Sequence, residues 1–314
     1  MRTSWRWVAG ACVLAYVVHR VGGGSVLAGL RAVDVGPLAL GTGIAAVTTL
    51  ACAWRWHLVA RELGMDVPLP TAVAACYRAQ FLNTVLPGGV LGDVHRGLRL
   101  GRPTRETGRA LRTVAWERFA GQVVQAALAV VVLVLLPSPV RPLLPWVLAI
   151  VAGAAAILVS LVLLAPSSDA WWCRVARTVR DDVRLSLLVR RSWPGVVAAS
   201  CVATVGYVAT YVVAARAVGV DAPVASLVPL ALVVLVAAGI PLNLAGWGPR
   251  EGMAAWVFAA AGLGAATGLA TAVAYGAMVL VANLPGAVVL AVAWRTPAPA
   301  PTAEVAAAGG GSHA

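Results

Sequence analysis

Long apolar runs are the feature that most limits what this chain can fold into. A helix needs about 20 predominantly apolar residues to cross the hydrocarbon core of a bilayer. The chain has six runs of about this length, at residues 6–22, 35–56, 113–136, 142–165, 193–217 and 267–294. Charged residues make up only 11% of the 314 residues, whereas a soluble domain typically has about 25%. The sequence therefore predicts an all-α polytopic integral membrane helical bundle.

Two further apolar regions are interrupted by helix breakers. Residues 70–92 contain Pro87, Gly88 and Gly89, and residues 225–263 consist of two short apolar halves around 241–252. We expect each region to form a re-entrant or broken-helix hairpin, which gives about eight membrane segments in all. Non-helical backbone at membrane depth survives only inside protein or against a water-filled cavity. The two breaks therefore predict a cavity.

The distribution of positive charge predicts membrane topology. The net charge is +12 and all 24 basic residues are arginines, most of them in segments beside apolar runs. This distribution indicates topology control and attraction to anionic lipid, and it argues against nucleic acid as a partner. Residues 55–112 hold nine arginines and residues 166–192 hold six, so we expect both segments and both termini to be cytoplasmic. The first broken segment then enters from the cytoplasm and the second from the opposite side, as in an inverted repeat.

The remaining composition adds little chemistry. We expect one transmembrane domain over residues 5–295 and a disordered Pro/Ala/Gly-rich tail over 296–314. The cysteines and histidines lack metal-ligand spacing, so no metal, disulfide or cofactor is predicted. Trp54, Arg55 and Trp56 end an apolar run and are interpreted as an interfacial anchor.

The first candidate site surrounds the break in residues 70–92. The polar residues are Arg78, Asn83 and Asp93, and the residues that break the backbone are Pro87, Gly88, Gly89 and Gly92. Free backbone N–H groups at such a break favour an anion. Asp93 has a second interpretation as a cap for the following helix. Arg78 and Asn83 have no capping role, and a charge at membrane depth costs roughly 2.5–3.5 kcal/mol, so we expect Arg78 to face a partner or water.

An arginine row follows this break, and two interpretations of it stay open. One is a cytoplasmic positive-inside segment, and the other is a collar that gathers phosphate headgroups. Its members are spaced three or four residues apart: Arg96, Arg99, Arg102, Arg105, Arg109 and Arg112. Glu117 and Arg118 then open a long apolar helix. They either reach into the protein interior or stay at the interface, with Arg118 snorkelling.

The second candidate site lies in residues 241–252. Its breakers are Gly246 and Gly248, and its polar residues are Asn243, Arg250 and Glu251. A position near a helix N-terminus accounts for Glu251 by capping but does not account for Arg250. The planar guanidinium matches phosphate oxygens in pairs, so Arg250 is the best candidate here for binding an anionic headgroup.

The order of these motifs resembles a known family. Leu86-Pro87-Gly88-Gly89, Gly92-Asp93, Glu117-Arg118 and the Gly246…Gly248…Arg250-Glu251 segment are similar to the lysylphosphatidylglycerol synthase transmembrane region, a flippase-like family. The resemblance covers about residues 5–295. It implies a membrane module that moves an aminoacylated phospholipid between leaflets, with functional roles for Asp93 and Arg250. The bifunctional members also carry a soluble aminoacyltransferase domain, which this sequence lacks, so lipid lysylation is not expected.

The leading functional hypothesis is a lipid flippase or transporter of the bacterial cytoplasmic membrane. Its expected partner is a phospholipid or a polyprenyl-linked lipid, carried as an anionic, aminoacylated or lipid-linked species. Arg250, Arg78 and Arg118 would contact the headgroup, and Asp93, Glu117 or Glu251 would balance the charge. Two alternatives stay open: a lipid-modifying enzyme using Asp93 and His95, or a non-transporting partner of a cell-envelope glycosyltransferase.

Overall fold

A computed structural model describes residues 23–86, 89–163, 170–182, 192–239 and 249–295, and the following account is confined to them. These residues form α-helices and short connections, with no β-strand among them. The helices are α1 Gly23–Arg31, α2 Val35–Glu62, α3 Leu69–Val85, α4 Leu91–Thr104, α5 Thr107–Leu135, α6 Leu144–Leu163, α7 Trp171–Asp182, α8 Trp193–Ala217, α9 Val224–Ala238, α10 Pro249–Ala260, α11 Ala265–Ala282 and α12 Leu284–Arg295.

Four helical stretches in the described part of the chain are long and apolar enough to cross a membrane. They are Val35–Glu62, Thr107–Leu135, Trp193–Ala217 and Ala265–Val292. They match four of the six apolar runs, and α6 matches the run at 142–165. The all-α membrane bundle is therefore confirmed. The run at 6–22 and the tail at 296–314 lie outside the described residues.

Small residues let the central helices approach closely. In the contact between α2 and α8, a Cβ added at Gly206 would lie 2.1 Å from Cγ2 of Thr48. Ala51, Ala199 and Ala203 are buried in the same part of the bundle. Lipid is as apolar as leucine, so close packing of small residues is what holds membrane helices together. The larger apolar side chains, such as Val47, Val131 and Val205, remain on the outer surface.

The first break produces an antiparallel helix pair, α3 and α4, here called the first pair. Gly89 adopts a φ of 62°, a left-handed conformation that favours glycine. Gly92 then lies against α3, where an added Cβ would come within 2.1 Å of the Ala79 carbonyl oxygen. The chain thus turns at Gly89 after the end of α3, and α4 returns along α3, as the sequence predicts.

The second break separates α9 from α10, which contact each other and are called the second pair. The connecting residues 240–248 lie outside the described ranges. α10 continues into an antiparallel contact with α11, where an added Cβ at Gly268 would lie 2.2 Å from the Ala254 carbonyl oxygen. α10 therefore runs from the bundle interior outward, and α11 returns beside it.

The two pairs enter the bundle from opposite ends. Glu62 at the end of α2 accepts a hydrogen bond from Ser192 at the start of α8, and Arg112 near the start of α5 pairs with Asp182 of α7. These contacts define the first end, from which the first pair enters. At the other end, Leu133 of α5 shares a buried cluster with Val220 and Ala222, which precede α9. The second pair therefore begins at this second end.

Candidate functional site

Five charged residues form a cluster at the first pair, here called the charged cluster. They are Arg55, Asp93, Arg96, Glu117 and Arg118. Glu117 is its centre: Nε of Arg55 donates to its Oε1 at 2.9 Å, and Arg96 donates to its Oε2 at 2.8 Å. Glu117 is only 2% exposed. One carboxylate therefore joins α2, α4 and α5.

Asp93 is the second carboxylate of the charged cluster. Its Oδ1 accepts from Arg96 at 3.0 Å, and its Oδ2 accepts from Asn83 at 2.7 Å and from Arg118. The N-cap of α4 is Val90, and Asp93 lies in the first turn with its carboxylate bonded to side chains, so the interpretation of Asp93 as the helix cap is wrong. The side-chain amide oxygen of Asn83, Oδ1, instead accepts a hydrogen bond from the backbone N–H of Gly92 at 2.7 Å. Asn83 thus caps α4 from the neighbouring helix and holds Asp93 for the arginines.

Arg96 belongs to this buried cluster and not to a surface collar. It is 4% exposed, and its guanidinium lies 4.4 Å from the ring centroid of Trp56. Trp56 is held in turn by a 3.0 Å hydrogen bond from its Nε1 to Thr113. A guanidinium on an indole face is a favourable cation–π contact. In the rest of the arginine row, Arg109 pairs with Glu106 and Arg112 with Asp182.

The charged cluster lies within the thickness of the bundle. Arg55 is about 10 Å from the end of α2, and Glu117 is about 15 Å from the start of α5, at 1.5 Å per residue. Three arginines face two carboxylates, which leaves an excess positive charge. The side chain of Arg118 is 47% exposed, whereas those of Arg55 and Arg96 are below 10%. Arg118 is therefore the most exposed guanidinium of the charged cluster.

The second charged site is the adjacent pair Arg250 and Glu251 at the start of α10. Nε of Arg250 donates to Oε1 of Glu251 at 2.8 Å, and their side chains are 12% and 5% exposed. The guanidinium lies 5.4 Å from the ring centroid of Tyr275 and against Gly276, where an added Cβ would meet it at 2.7 Å. Gly276 lies near the middle of the span Ala265–Val292, so Arg250 is at membrane depth.

A row of aromatic and polar side chains links the two charged sites. The Arg55 guanidinium lies 3.8 Å from Sγ of Cys52, and that sulfur is 3.3 Å from the hydroxyl of Tyr207. Tyr207 and Tyr211 are one turn apart on α8, and the Tyr211 ring lies 5.5 Å from that of Tyr275. Tyr275 in turn faces Arg250. The two sites therefore share one bundle interior, although their helix pairs enter from opposite ends.

Arg78 differs from the other interior arginines. It is 7% exposed on α3, yet no carboxylate in the described ranges pairs with it, and its Nε has no hydrogen-bond partner. The expectation is that Arg78 faces a partner or water, and among the described residues it has no carboxylate partner. Its ionisable neighbours are His95 and Arg99 of α4.

Several site residues are missed by sequence reasoning. The sequence predicts that Arg55 and Trp56 belong to an interfacial anchor. α2 instead continues to Glu62 and buries both side chains, so the prediction is wrong for these two residues. The apolar Leu58-Val59-Ala60 segment beyond them is the signal that the membrane helix continues past Arg55. The three-residue spacing of Asp93 and Arg96 is the corresponding signal for Arg96.

The remaining predicted site residues are those of the two breaks in the helices. Gly89 and Gly92 hold the first break as described. Five others lie outside the described residues: Pro87, Gly88, Asn243, Gly246 and Gly248. Among the described residues, no group of three or more His, Cys, Asp or Glu side chains is placed to hold a metal ion.

These features define a class: a polytopic helical membrane protein with two interrupted helix pairs and charged side chains in its interior. The family model for the lysylphosphatidylglycerol synthase TM region matches residues 5–286. The chain therefore belongs to that family, which confirms the resemblance drawn from the motifs and relates the protein to lipid biosynthesis or flipping. Comparisons with curated proteins and with solved structures gave no significant match.

Proposed function

We propose that this chain binds the headgroup of an anionic or aminoacylated phospholipid, or of a lipid-linked intermediate, and moves that lipid between the leaflets of a bacterial cytoplasmic membrane. The observation that carries the proposal is the charged cluster, which keeps three arginines and two carboxylates inside a membrane bundle beside a break in a helix. Ionisable side chains at membrane depth are costly and mark substrate or ion pathways.

The charged residues have different roles in headgroup binding. Arg118 and Arg250 contact the phosphate, because a guanidinium binds phosphate oxygens in pairs. Asp93, held by Asn83 and Arg96, sets the position of Arg118 and offers negative charge to a cationic substituent. Glu117 holds Arg55 and Arg96 in place. Glu251 does the same for Arg250.

The arrangement of the two helix pairs suits access from both leaflets. The first pair enters from the end that carries the arginine-rich segments, which we assign to the cytoplasm. The second pair enters from the other end. A headgroup that dissociates from Arg118 can therefore bind Arg250 next, because both residues lie in the same bundle interior. Transporters with inverted repeats place broken helices at the midplane in this way.

Lipid movement in liposomes tests the proposal. Purified protein should accelerate transfer of a labelled phosphatidylglycerol between leaflets relative to protein-free liposomes. Arg250→Ala should reduce that rate to the protein-free level without loss of folded protein, because it removes the guanidinium at membrane depth. The matched control is Arg61→Ala, which removes a half-exposed arginine at the end of α2. Wild-type transfer by Arg250→Ala would exclude Arg250 from the site, and no transfer by the wild type would refute the function.

A further inference from the structure

α4 presents two chemically different faces to its neighbours. Asp93 and Arg96, three residues apart, lie in the charged cluster, where every arginine has a carboxylate. His95, Arg99 and Arg102 recur at spacings of four and three residues, so they share another face. No Asp or Glu of the described ranges pairs with Arg99 or Arg102. This second face is thus positively charged without a counter-charge.

Arg78 of α3 faces this second side of α4. It is more than nine-tenths buried, its Nε has no partner, and the neighbouring charge that acts on it is that of Arg99. A buried guanidinium without an acceptor is expensive, because burial removes its water without replacing the hydrogen bonds. The missing group is an anion with several acceptor oxygens.

His95 lies in the positive electrostatic field of the neighbouring arginines. Its Nδ1 is buried without a hydrogen-bond partner. The side chain is partly buried and lies near Arg78, Arg99 and Arg102. Within the described ranges no Asp or Glu pairs with these three arginines, so an anion would neutralise the positive field at His95.

We propose that Arg78, His95, Arg99 and Arg102 form a binding site for a phosphate group, separate from the charged cluster. Arg99 and Arg102 are exposed and lie toward the first end of the bundle, whereas Arg78 lies about 14 Å inside the start of α3. The site is a path of positive charge from the surface inward. It rests on the proposed function only in assigning this path as the point where a phospholipid headgroup enters.

Equilibrium binding to the full chain in an uncharged detergent tests the site. The probes are dihexanoyl phosphatidylglycerol, dihexanoyl phosphatidylcholine and inorganic phosphate, measured by calorimetry. Phosphatidylglycerol should bind more tightly than the zwitterionic lipid, and Arg78→Gln should weaken its binding about tenfold or more, the size of a lost charge-assisted hydrogen bond. Arg109→Gln is the matched control, because Arg109 is a nearby arginine that already has Glu106 as its partner; its binding should stay within about twofold of wild type.

The phosphate probe identifies the ligand, and a second variant controls for a folding defect in Arg78→Gln. Phosphate binding with the same dependence on Arg78 identifies the phosphate group alone as sufficient, whereas binding of lipid only identifies a lipid phosphate; both support the site. The double variant Arg99→Gln/Arg102→Gln changes exposed positions and should also lose affinity. Wild-type affinity in both variants, or no anion binding by the wild type, would overturn the proposal.

This outcome is independent of transport. A chain that binds phosphatidylglycerol through Arg78 but moves no lipid keeps the site and refutes the flippase. A chain that moves lipid while Arg78→Gln and Arg99→Gln/Arg102→Gln both bind normally keeps the flippase and refutes the site.

Discussion

Glu117 determines how the interior charges are held. Both of its oxygens are occupied by arginines from different helices, and it is almost wholly buried. A buried ion pair contributes little relative to an apolar replacement, but removing one partner leaves the other charge uncompensated. Glu117 is therefore a structural counter-charge. Its loss would leave Arg55 without a carboxylate partner and leave Arg96 with Asp93 alone.

The variant Glu117→Gln tests this role. It should lower the free energy of unfolding by about 3–5 kcal/mol, the usual cost of leaving a buried charge without its partner. Thermal unfolding of the detergent-purified protein measures the effect. The control Glu106→Gln breaks an ion pair that is about 40% exposed and should change stability by less than about 1 kcal/mol. Equal unfolding temperatures for the two variants would show that Glu117 does not hold the cluster.

Sequence reasoning identifies some of these residues and not others for physical reasons. Asp93, Glu117, Arg118 and Asn83 are conspicuous as polar residues beside apolar runs or breakers. Arg55 is not, because tryptophan and arginine at the end of an apolar run are also what a membrane interface requires. Whether Arg55 lies at the interface or in the interior is determined by the neighbouring helices. The contact that holds it in the interior joins residues more than 60 positions apart in sequence.

At the scale of elements, the first pair is what brings Asn83 to Asp93. The turn depends on Gly89, and the close approach of α3 and α4 depends on Gly92. The proline and glycines predict this break from the sequence alone, and α4 begins where the break ends. The antiparallel register of α3 and α4 does not follow from the sequence, because it depends on which small residues meet.

The variant Gly92→Ala tests the element directly. The added methyl group would lie 2.1 Å from the Ala79 carbonyl oxygen and 2.8 Å from Oδ1 of Asn83, so α3 and α4 must separate. We expect a loss of about 1–3 kcal/mol in stability, as for other overpacked interiors, together with impaired lipid transfer.

Gly108→Ala in α5 is the matched control, because its added Cβ meets only the end of the Arg112 side chain at 3.9 Å. Alanine is the better helix former, so this variant should be as stable as wild type or slightly more stable. Unfolding temperatures of the two variants provide the comparison. If Gly92→Ala were as stable as Gly108→Ala, the close contact would not hold the first pair together.

At the scale of the whole molecule, two interrupted pairs enter one bundle from opposite ends. Apolar length predicts the spans, and the breakers predict the pairs, but the common interior emerges only when α8 and α11 place Tyr207, Tyr211 and Tyr275 between the charged sites. The central claim is that the two pairs offer charge to a headgroup from opposite sides of the membrane. That claim requires the first and second ends of the bundle to lie on opposite sides of the membrane, and the account places the first end in the cytoplasm.

Cysteine labelling of intact cells tests the central claim most directly. The matched variants are Asp181→Cys, at an exposed position of α7 at the first end, and Asp221→Cys, at a fully exposed position at the second end. The native chain gives the background labelling of its own cysteines, of which Cys52, Cys76 and Cys173 are buried and Cys201 is partly buried. We predict that a membrane-impermeant maleimide labels Asp221→Cys in intact cells and labels Asp181→Cys only after permeabilisation. Labelling of Asp181→Cys in intact cells would contradict the account.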